Sequence, residues 1–268
     1  MIVIGEKINT SRKSVFEAVE KKDEEFIKNL ALKQTSAGAD MLDINCGTNV
    51  GREVEDMKWL VKIVQEVSDV PLCIDSPNPK ALEKGLELVK KNGKKYLVNS
   101  ITAERERIRL ILPIVQCFDC DVVALTMDET GMPHTADERI QIAKKIIKMC
   151  EEQKVAKERI YFDPLVRPVS TEQEQALAFL NAVEEITKLG AKTTCGLSNI
   201  SFGLPERGLL NAVFVAMAID RGLTSALIDP MDRLMMATIK AAGTLLGKDE
   251  YCMNYITASR EGKLLKTK

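Results

Sequence analysis

Histidine is nearly missing from this chain: His134 is the only one among 268 residues. That excludes multi-histidine metal centres and every histidine-based triad except one built on His134. Aromatic residues make up 4% of the chain, and Trp59 is the single tryptophan. An excess of one charge is lacking too: 38 Lys and Arg offset 39 Asp and Glu, for a formal net charge of -1. The two signs are interspersed, so neither a nucleic-acid surface nor a polybasic membrane patch is expected. No apolar run approaches the roughly 18 residues that a membrane-spanning helix requires. MIVIGEKIN has no basic segment ahead of a long apolar stretch, so the reading is no signal peptide and a cytoplasmic protein. The seven cysteines, at 46, 73, 117, 120, 150, 195 and 252, are odd in number and lie mostly in apolar runs. They read as reduced thiols. Cys117 and Cys120 form one CxxC, without the second pair or the histidines that a zinc site needs.

What is present is a repeating pattern: a short apolar run ending in a polar residue, then an amphipathic stretch. The runs are MIVIGE (1–6), MLDINC (41–46), LCIDS (72–76), YLVNS (96–100), DVVALTMD (121–128), RIYFDP (159–164), KTTCGLSN (192–199) and SALID (225–229). Eight strands joined by crossover helices describe an α/β fold, a closed (β/α)8 TIM barrel, in one domain over 1–268. Helical spacing is clear in 52–67 (Val54, Met57, Leu60, Val61, Val64), in 137–150 and in 232–246, with Asp137 and Asp232 as N-caps or first-turn acids. An open doubly wound sheet is the alternative. Its glycine-rich phosphate turn is not found in GEKINTSRK. The tail 258–268, ASREGKLLKTK, reads as a mobile end.

Barrel sites form where strands end. The ends here carry Glu6 and Asn9, Asp43 and Asn45, Asp75, Asn99, Asp128, Asp163, Asn199 and Asp229. Asp and Asn are poor strand formers, and one or two would be turn residues. Eight ends doing so around one mouth points to a binding site. Strand 7 is read as TTCGLSN, with Cys195, Leu197 and Asn199 alternating onto one side. No lysine ends a strand in position for a Schiff base, and a catalytic metal is not expected. Carboxylates and amides that accept and donate paired hydrogen bonds suit a pterin. A carboxylate takes two parallel N–H bonds from its amino-pyrimidinone edge, and an asparagine pairs with its carbonyl and ring N–H.

The segments GEKIN, DINCG, CIDSPN, VNSITAE, LTMDETGMP, FDPLV, GLSNISFGLPER and LLNAVFVAMAI occur in that order. Together, from Met1 to about Tyr251, they resemble the methyltetrahydrofolate:corrinoid protein methyltransferases, and more distantly the folate domain of cobalamin-dependent methionine synthase. The resemblance implies a dihydropteroate-synthase-like pterin-binding barrel that moves a methyl group between N5 of tetrahydrofolate and the cobalt of a cobalamin carried by a partner protein. It implies that Asp75, Asn99 and Asp163 hold the pterin, that Gly196 and Ser198 wall it, and that catalytic Asn199 sits near N5. Glu6, Asn9, Asp43, Asn45, Met127, Asp128 and Arg207 are further candidates for lining the site. It also implies a homodimer, a corrinoid protein docking over the mouth, and no metal bound by this chain. Two rivals stand beside it. Dihydropteroate synthase expels pyrophosphate and needs cationic groups and an NxTPDSF-type first loop, whereas here the loop is GEKINTSRK and strand 7 carries no lysine at its end. A non-catalytic corrinoid module needs a DxHxxG-like loop, whereas His134 lies in MPHTADER, ahead of a helix. Arg207 and Lys7 are candidates for the folate tail, and Trp59 and the methionines of RLMMAT for packing.

Overall fold

The computed structural model describes residues 1–48, 51–90 and 93–265. Its strands are Ile2–Asn9 (β1), Met41–Asn45 (β2), Leu72–Asp75 (β3), Leu97–Ile101 (β4), Asp121–Leu125 (β5), Ile160–Asp163 (β6), Lys192–Thr193 (β7) and Ser225–Ile228 (β8). Neighbours run parallel in the order β7-β6-β5-β4-β3-β2-β1-β8. The barrel closes where Leu227 N–H donates to the Cys195 carbonyl at 2.8 Å and Gly196 bridges Leu227.

The helices are Lys13–Lys21 (α1), Glu24–Ser36 (α2), Glu53–Val67 (α3), Pro79–Leu86 (α4), Arg105–Cys117 (α5), Ala136–Glu152 (α6), Gln175–Lys188 (α7), Arg207–Asp220 (α8), Arg233–Leu245 (α9) and Met253–Arg260 (α10). Local chemistry sets their starts. Asp232 caps α9 by accepting from Leu234 N and Met235 N. Thr135, not Asp137, caps α6, and Glu138 completes a capping box there. Asp137 supplies an acid to the first turn.

The residue alternation of each strand separates two cores. Ile8, Ile44, Ile74, Val98, Val122 and Phe162 face outward against helix residues such as Met57, Leu60, Val61 and Val64 of α3. Inside, Ile4, Met41, Cys73, Leu97, Val123 and Tyr161 fill the barrel. Burying each aliphatic side chain stabilises by about 1.5–3 kcal/mol. The floor beneath the mouth is therefore packed side chain rather than a channel. Met235 and Met236 of RLMMAT are core, and Trp59 is half-buried with the Lys22 ammonium 4.6 Å above its ring.

Gly5 decides the shape of β1. A Cβ there would lie 2.6 Å from Gln34 Oε1, which accepts the Lys7 N–H at 3.0 Å. The register gains one residue between Gly5 and Ile8, a bulge that turns Glu6 and Lys7 to the mouth. In the segment 258–268, residues 258–260 complete α10, and Arg233 Nη2 donates to the carbonyls of Gly262 at 2.9 Å and Leu264 at 3.2 Å. The last three residues lie outside the described ones.

Candidate functional site

Register assembles the site. Asn9 pairs with Asn45, Asn45 with Asp75, and Asp75 with Asn99, so the ends of β1, β2 and β3 and the middle of β4 form one row of amides and a carboxylate. Asn45 Nδ2 donates to Asp75 Oδ2 at 2.8 Å, while Asn45 Oδ1 accepts the Gly47 N–H at 3.0 Å. Those two bonds fix the amide's orientation. Opposite the row, Asp163 ends β6, its Oδ1 accepting from Leu165 N at 2.7 Å and its carboxylate also taking the Gly196 N–H.

Burial governs the electrostatics. It pushes Asp75 up to about 6, against the opposing pull of the Asn45 amide and Arg107. It pushes Asp163 up to about 6 as well, against the Leu165 and Gly196 N–H groups and Arg139. Glu6 is raised by burial, although Arg12 donates to it at 2.9 Å. Asp43 is only 1% exposed and sits in the same inward row as Cys73, one layer below Asn45 and Asp75. Burial and then the Asp75 charge raise it well above the carboxylate range, and its Oδ1 has no hydrogen-bond partner among the described residues. It therefore lies under the mouth rather than at a strand tip. Alternation dictates this, because Asp43 and Asn45 share a parity and only the second reaches the rim.

Strand 7 departs from the expected alternation. It ends at Thr193, and Leu197–Ser201 turn as a 3-10 helix. Cys195 and Leu197 are fully buried while Asn199 is exposed, so the three do not share a face. The 3-10 turn carries Asn199 over Gly196, where a Cβ would meet Asn199 Nδ2 at 3.4 Å. Ser198 lies beside it, its carbonyl held by Arg207 Nη2 at 2.6 Å. Arg207 also donates to Ser201 Oγ at 3.0 Å, which makes it a brace for this segment.

Other candidates are committed to local structure. Strand 5 ends at Leu125, so Met127 and Asp128 stand in the following loop. Asp128 accepts from Thr130 N at 3.0 Å, Thr130 Oγ1 at 2.7 Å and Lys145 at 3.2 Å, which holds it below the usual carboxylate range. Asn9 Oδ1 caps the turn at Ser11 N. Asp229 pairs with Lys7 Nζ at 2.5 Å. Lys7, Glu6, Arg12, Ser198, Arg207 and Asp229 line a cavity of about 260 Å³ at the β1–β8 side of the mouth. A larger hollow of about 570 Å³, between α6 and α7, contains none of the strand-end carboxylates.

Sequence reasoning missed Arg107, which clamps two strand ends by donating to Ser100 O at 2.8 Å and Ser76 O at 3.0 Å, and to Pro77 O. It also missed Glu53, buried at the start of α3 and bonded by Ser76 Oγ. Both stand within ordinary helical charge patterns and carry no local signal of their role.

A family model described as pterin binding enzyme matches residues 5–229. The chain is 40% identical to a methylcorrinoid:tetrahydrofolate methyltransferase of Eubacterium limosum over 98% of both chains. It is 34% identical to a methionine synthase of Mycobacterium leprae, covering 85% of this chain and 20% of that protein. Among solved structures, dihydropteroate synthase from Xanthomonas albilineans with 7,8-dihydropteroate superposes with a TM-score of 0.70 at 19% identity, covering 91% of this chain and 93% of that one. The enzyme from Stenotrophomonas maltophilia gives 0.69 at 18% identity, covering 91% and 92%. Those two likenesses concern the barrel fold alone. Matched by the family model over most of its length and by a relative along nearly all of it, this chain belongs to the pterin-binding enzymes.

Proposed function

We propose that the chain is a methyltransferase that moves a methyl group between N5 of methyltetrahydrofolate and the cobalt of a corrinoid carried by a separate protein. The relative that carries this name, 40% identical over 98% of the chain, is the observation that decides for it. The geometry supplies the means. Asp75 and Asp163 face each other across the mouth as acceptors for the N–H groups of the pterin edge. Asn99 pairs with the ring carbonyl and its neighbouring N–H. Gly196 and Ser198 form the wall, the glycine leaving free the space beside Asn199 that a Cβ would fill.

Methyl transfer from a tertiary amine is a displacement with a poor leaving group. Protonated N5 takes the electron pair of the breaking N–CH3 bond and leaves as a neutral amine. The partner's corrinoid supplies the nucleophile, cobalt(I). Asn199 accepts a hydrogen bond from the N5–H that develops as N5 is protonated, a donor that the unprotonated substrate bound in the ground state lacks, so it stabilises the transition state more than the ground state. No strong base is needed, and the proposal includes no metal bound by this chain. The relative's name puts the methyl group on the corrinoid at the start, and the same site serves both directions.

Two surfaces support the assembly. Phe202 is 63% exposed beside Asn199, an aromatic edge on which a corrinoid domain can seat. On α8, Leu209, Leu210, Val213 and Met217 lie on one stripe at 39–60% exposure, a face suited to a second copy of the chain. The five buried thiols, Cys46, Cys73, Cys120, Cys150 and Cys195, fit a reducing cytoplasm. Among the described residues no helix is long and apolar enough to cross a membrane. The test is anaerobic turnover. Methyltetrahydrofolate with free cob(I)alamin is expected to give methylcobalamin. A dihydropterin pyrophosphate with p-aminobenzoate is expected to give nothing, and the reverse pattern would establish the synthase reading.

A further inference from the structure

We propose that Arg139 is a positioning residue that sets the β6 end of the site by acting through Asp163. Arg139 is 0% exposed, the largest fully buried side chain among the described residues. Its guanidinium donates to five acceptors: Pro164 O at 2.6 Å, His134 O at 2.9 Å, Thr135 O at 3.1 Å, Leu165 O at 3.3 Å and Gln175 Oε1 at 2.7 Å. Each of these acceptors is neutral. A buried cation among neutral dipoles is expensive, and a packing role alone would be met by an uncharged side chain.

The geometry indicates what the charge serves. Two of the acceptors are the carbonyls of Pro164 and Leu165, the residues immediately after Asp163. Leu165 has a φ of 63°, a left-handed conformation that costs a branched residue about 1–2 kcal/mol and persists only where its surroundings fix it. In that conformation the Leu165 N–H points back to Asp163 Oδ1 at 2.7 Å, while its carbonyl points to Arg139. One residue is thus held from both ends, by the carboxylate of the site and by the guanidinium.

Three carboxylates bear on the Arg139 charge, Glu138 first, then Asp163 and Glu172, and of these only Asp163 stands at a strand end of the site. Glu138, on α6, is spent on the His134 and Thr135 N–H groups. Glu172, in the β6–α7 loop, is bound by Arg167 at 3.1 Å and by Gln175 at 2.5 Å. Arg167 opposes the Arg139 charge, and Cys195, two residues past the end of β7, bears on Asp163 as a thiol raised by burial. His134 contacts Arg139 only through its backbone carbonyl, its ring lying against Arg167. On the β5 side, Leu125 and Thr126 bring no charge. Loss of the guanidinium would both loosen Leu165 and make ionised Asp163 costlier.

The folate arm of the test rests on the proposed function. Equilibrium binding of methyltetrahydrofolate is measured from pH 5 to 8 in wild type, Arg139→Gln and Arg139→Lys. The midpoint below which binding weakens is expected to rise by about one pH unit in Arg139→Gln, with weakening of about fivefold at pH 6 that shrinks toward pH 8. Arg139→Lys, which keeps the charge but not the fork, is expected to move it less. In an Asp163→Asn background, Arg139→Gln is expected to add nothing. A folded Arg139→Gln with an unmoved midpoint, or losses that add with those of Asp163→Asn, would overturn the proposal. Should Arg139→Gln not fold, Arg139→Lys takes its place in the double-mutant cycle. Failure of both to fold would make Arg139 a stability residue only and reject the role. A wild type that binds no folate would sink the proposed function instead. Arg139 is then judged from unfolding without ligand. The part of the stability loss between pH 4 and 6 that Asp163→Asn removes, Asp75 contributing its own, should extend to higher pH in Arg139→Gln. An unchanged range would overturn the role.

Discussion

Replacing Asp75 with alanine tests the pterin row at its centre. The carboxylate stands between Asn45 and Asn99 in register and takes the Asn45 amide at 2.8 Å. Removing it deletes an acceptor for ligand N–H groups and leaves the Asn45 amide without its partner. A hydrogen bond to a charged group contributes about 1.5–3 kcal/mol, so methyltetrahydrofolate should bind roughly 10- to 150-fold more weakly. The pH profile sharpens the test. Asp75 and Asp163 are both pushed up to about 6, and both must be ionised to accept. Wild-type affinity should therefore fall steeply as pH drops through 6, by up to about 100-fold per unit where both are protonated. Asp75→Ala should fall at most about tenfold per unit. Calorimetry across pH 5–8 reads both quantities. Unchanged affinity at pH 8 together with an unchanged slope would refute the assignment of Asp75 to the pterin.

Other perturbations test other links. Gly5→Ala sets a methyl group 2.6 Å from Gln34 Oε1 and should destabilise by about 1–3 kcal/mol in denaturant unfolding, much of it recovered in Gly5→Ala/Gln34→Ala. Asp163 has a folded pKa of about 6, above its unfolded value of about 3.8. Its ionisation therefore opposes folding: stability is greatest below the unfolded value and is lost as pH rises through 6, to about 3 kcal/mol at pH 7. Asp163→Asn should make the unfolding free energy fall less steeply between pH 4 and 6, Asp75 keeping its own share, and a curve parallel to wild type would contradict the burial argument. Val213→Asp in the α8 stripe should convert a dimer to monomer in sedimentation, with the far-ultraviolet spectrum unchanged. A wild type that already sediments as a monomer would reject the homodimer.

The strands were legible because the packed core imposes apolar runs of strand length. β1, β2, β3, β4, β5, β6 and β8 fall inside the runs read from sequence or within a few residues of them. Helix α9 was legible down to its Asp232 cap. Strand 7 was not, because a 3-10 turn over Leu197–Ser201 and an alternating strand both leave Leu197 apolar and Asn199 polar. Asp43 was placed one layer too high, since a strand's end does not show in its residue types. Asp128 carried the composition of a site residue but serves a turn with Thr130. Arg107 and Arg139 were invisible because their partners are, apart from Gln175 on Arg139, backbone carbonyls, which have no signature in sequence.

The central claim is that Asn199 meets N5 chiefly in the transition state, and separating binding from transfer tests it most directly. Asn199 is exposed on its 3-10 turn, so Asn199→Ala should fold as wild type does. It should bind methyltetrahydrofolate within about tenfold of wild type, a loss under about 1.4 kcal/mol. Single-turnover transfer to cob(I)alamin, followed by absorbance, should be at least about 100-fold slower. Equal losses in affinity and rate would make Asn199 a binding or structural residue and contradict the account.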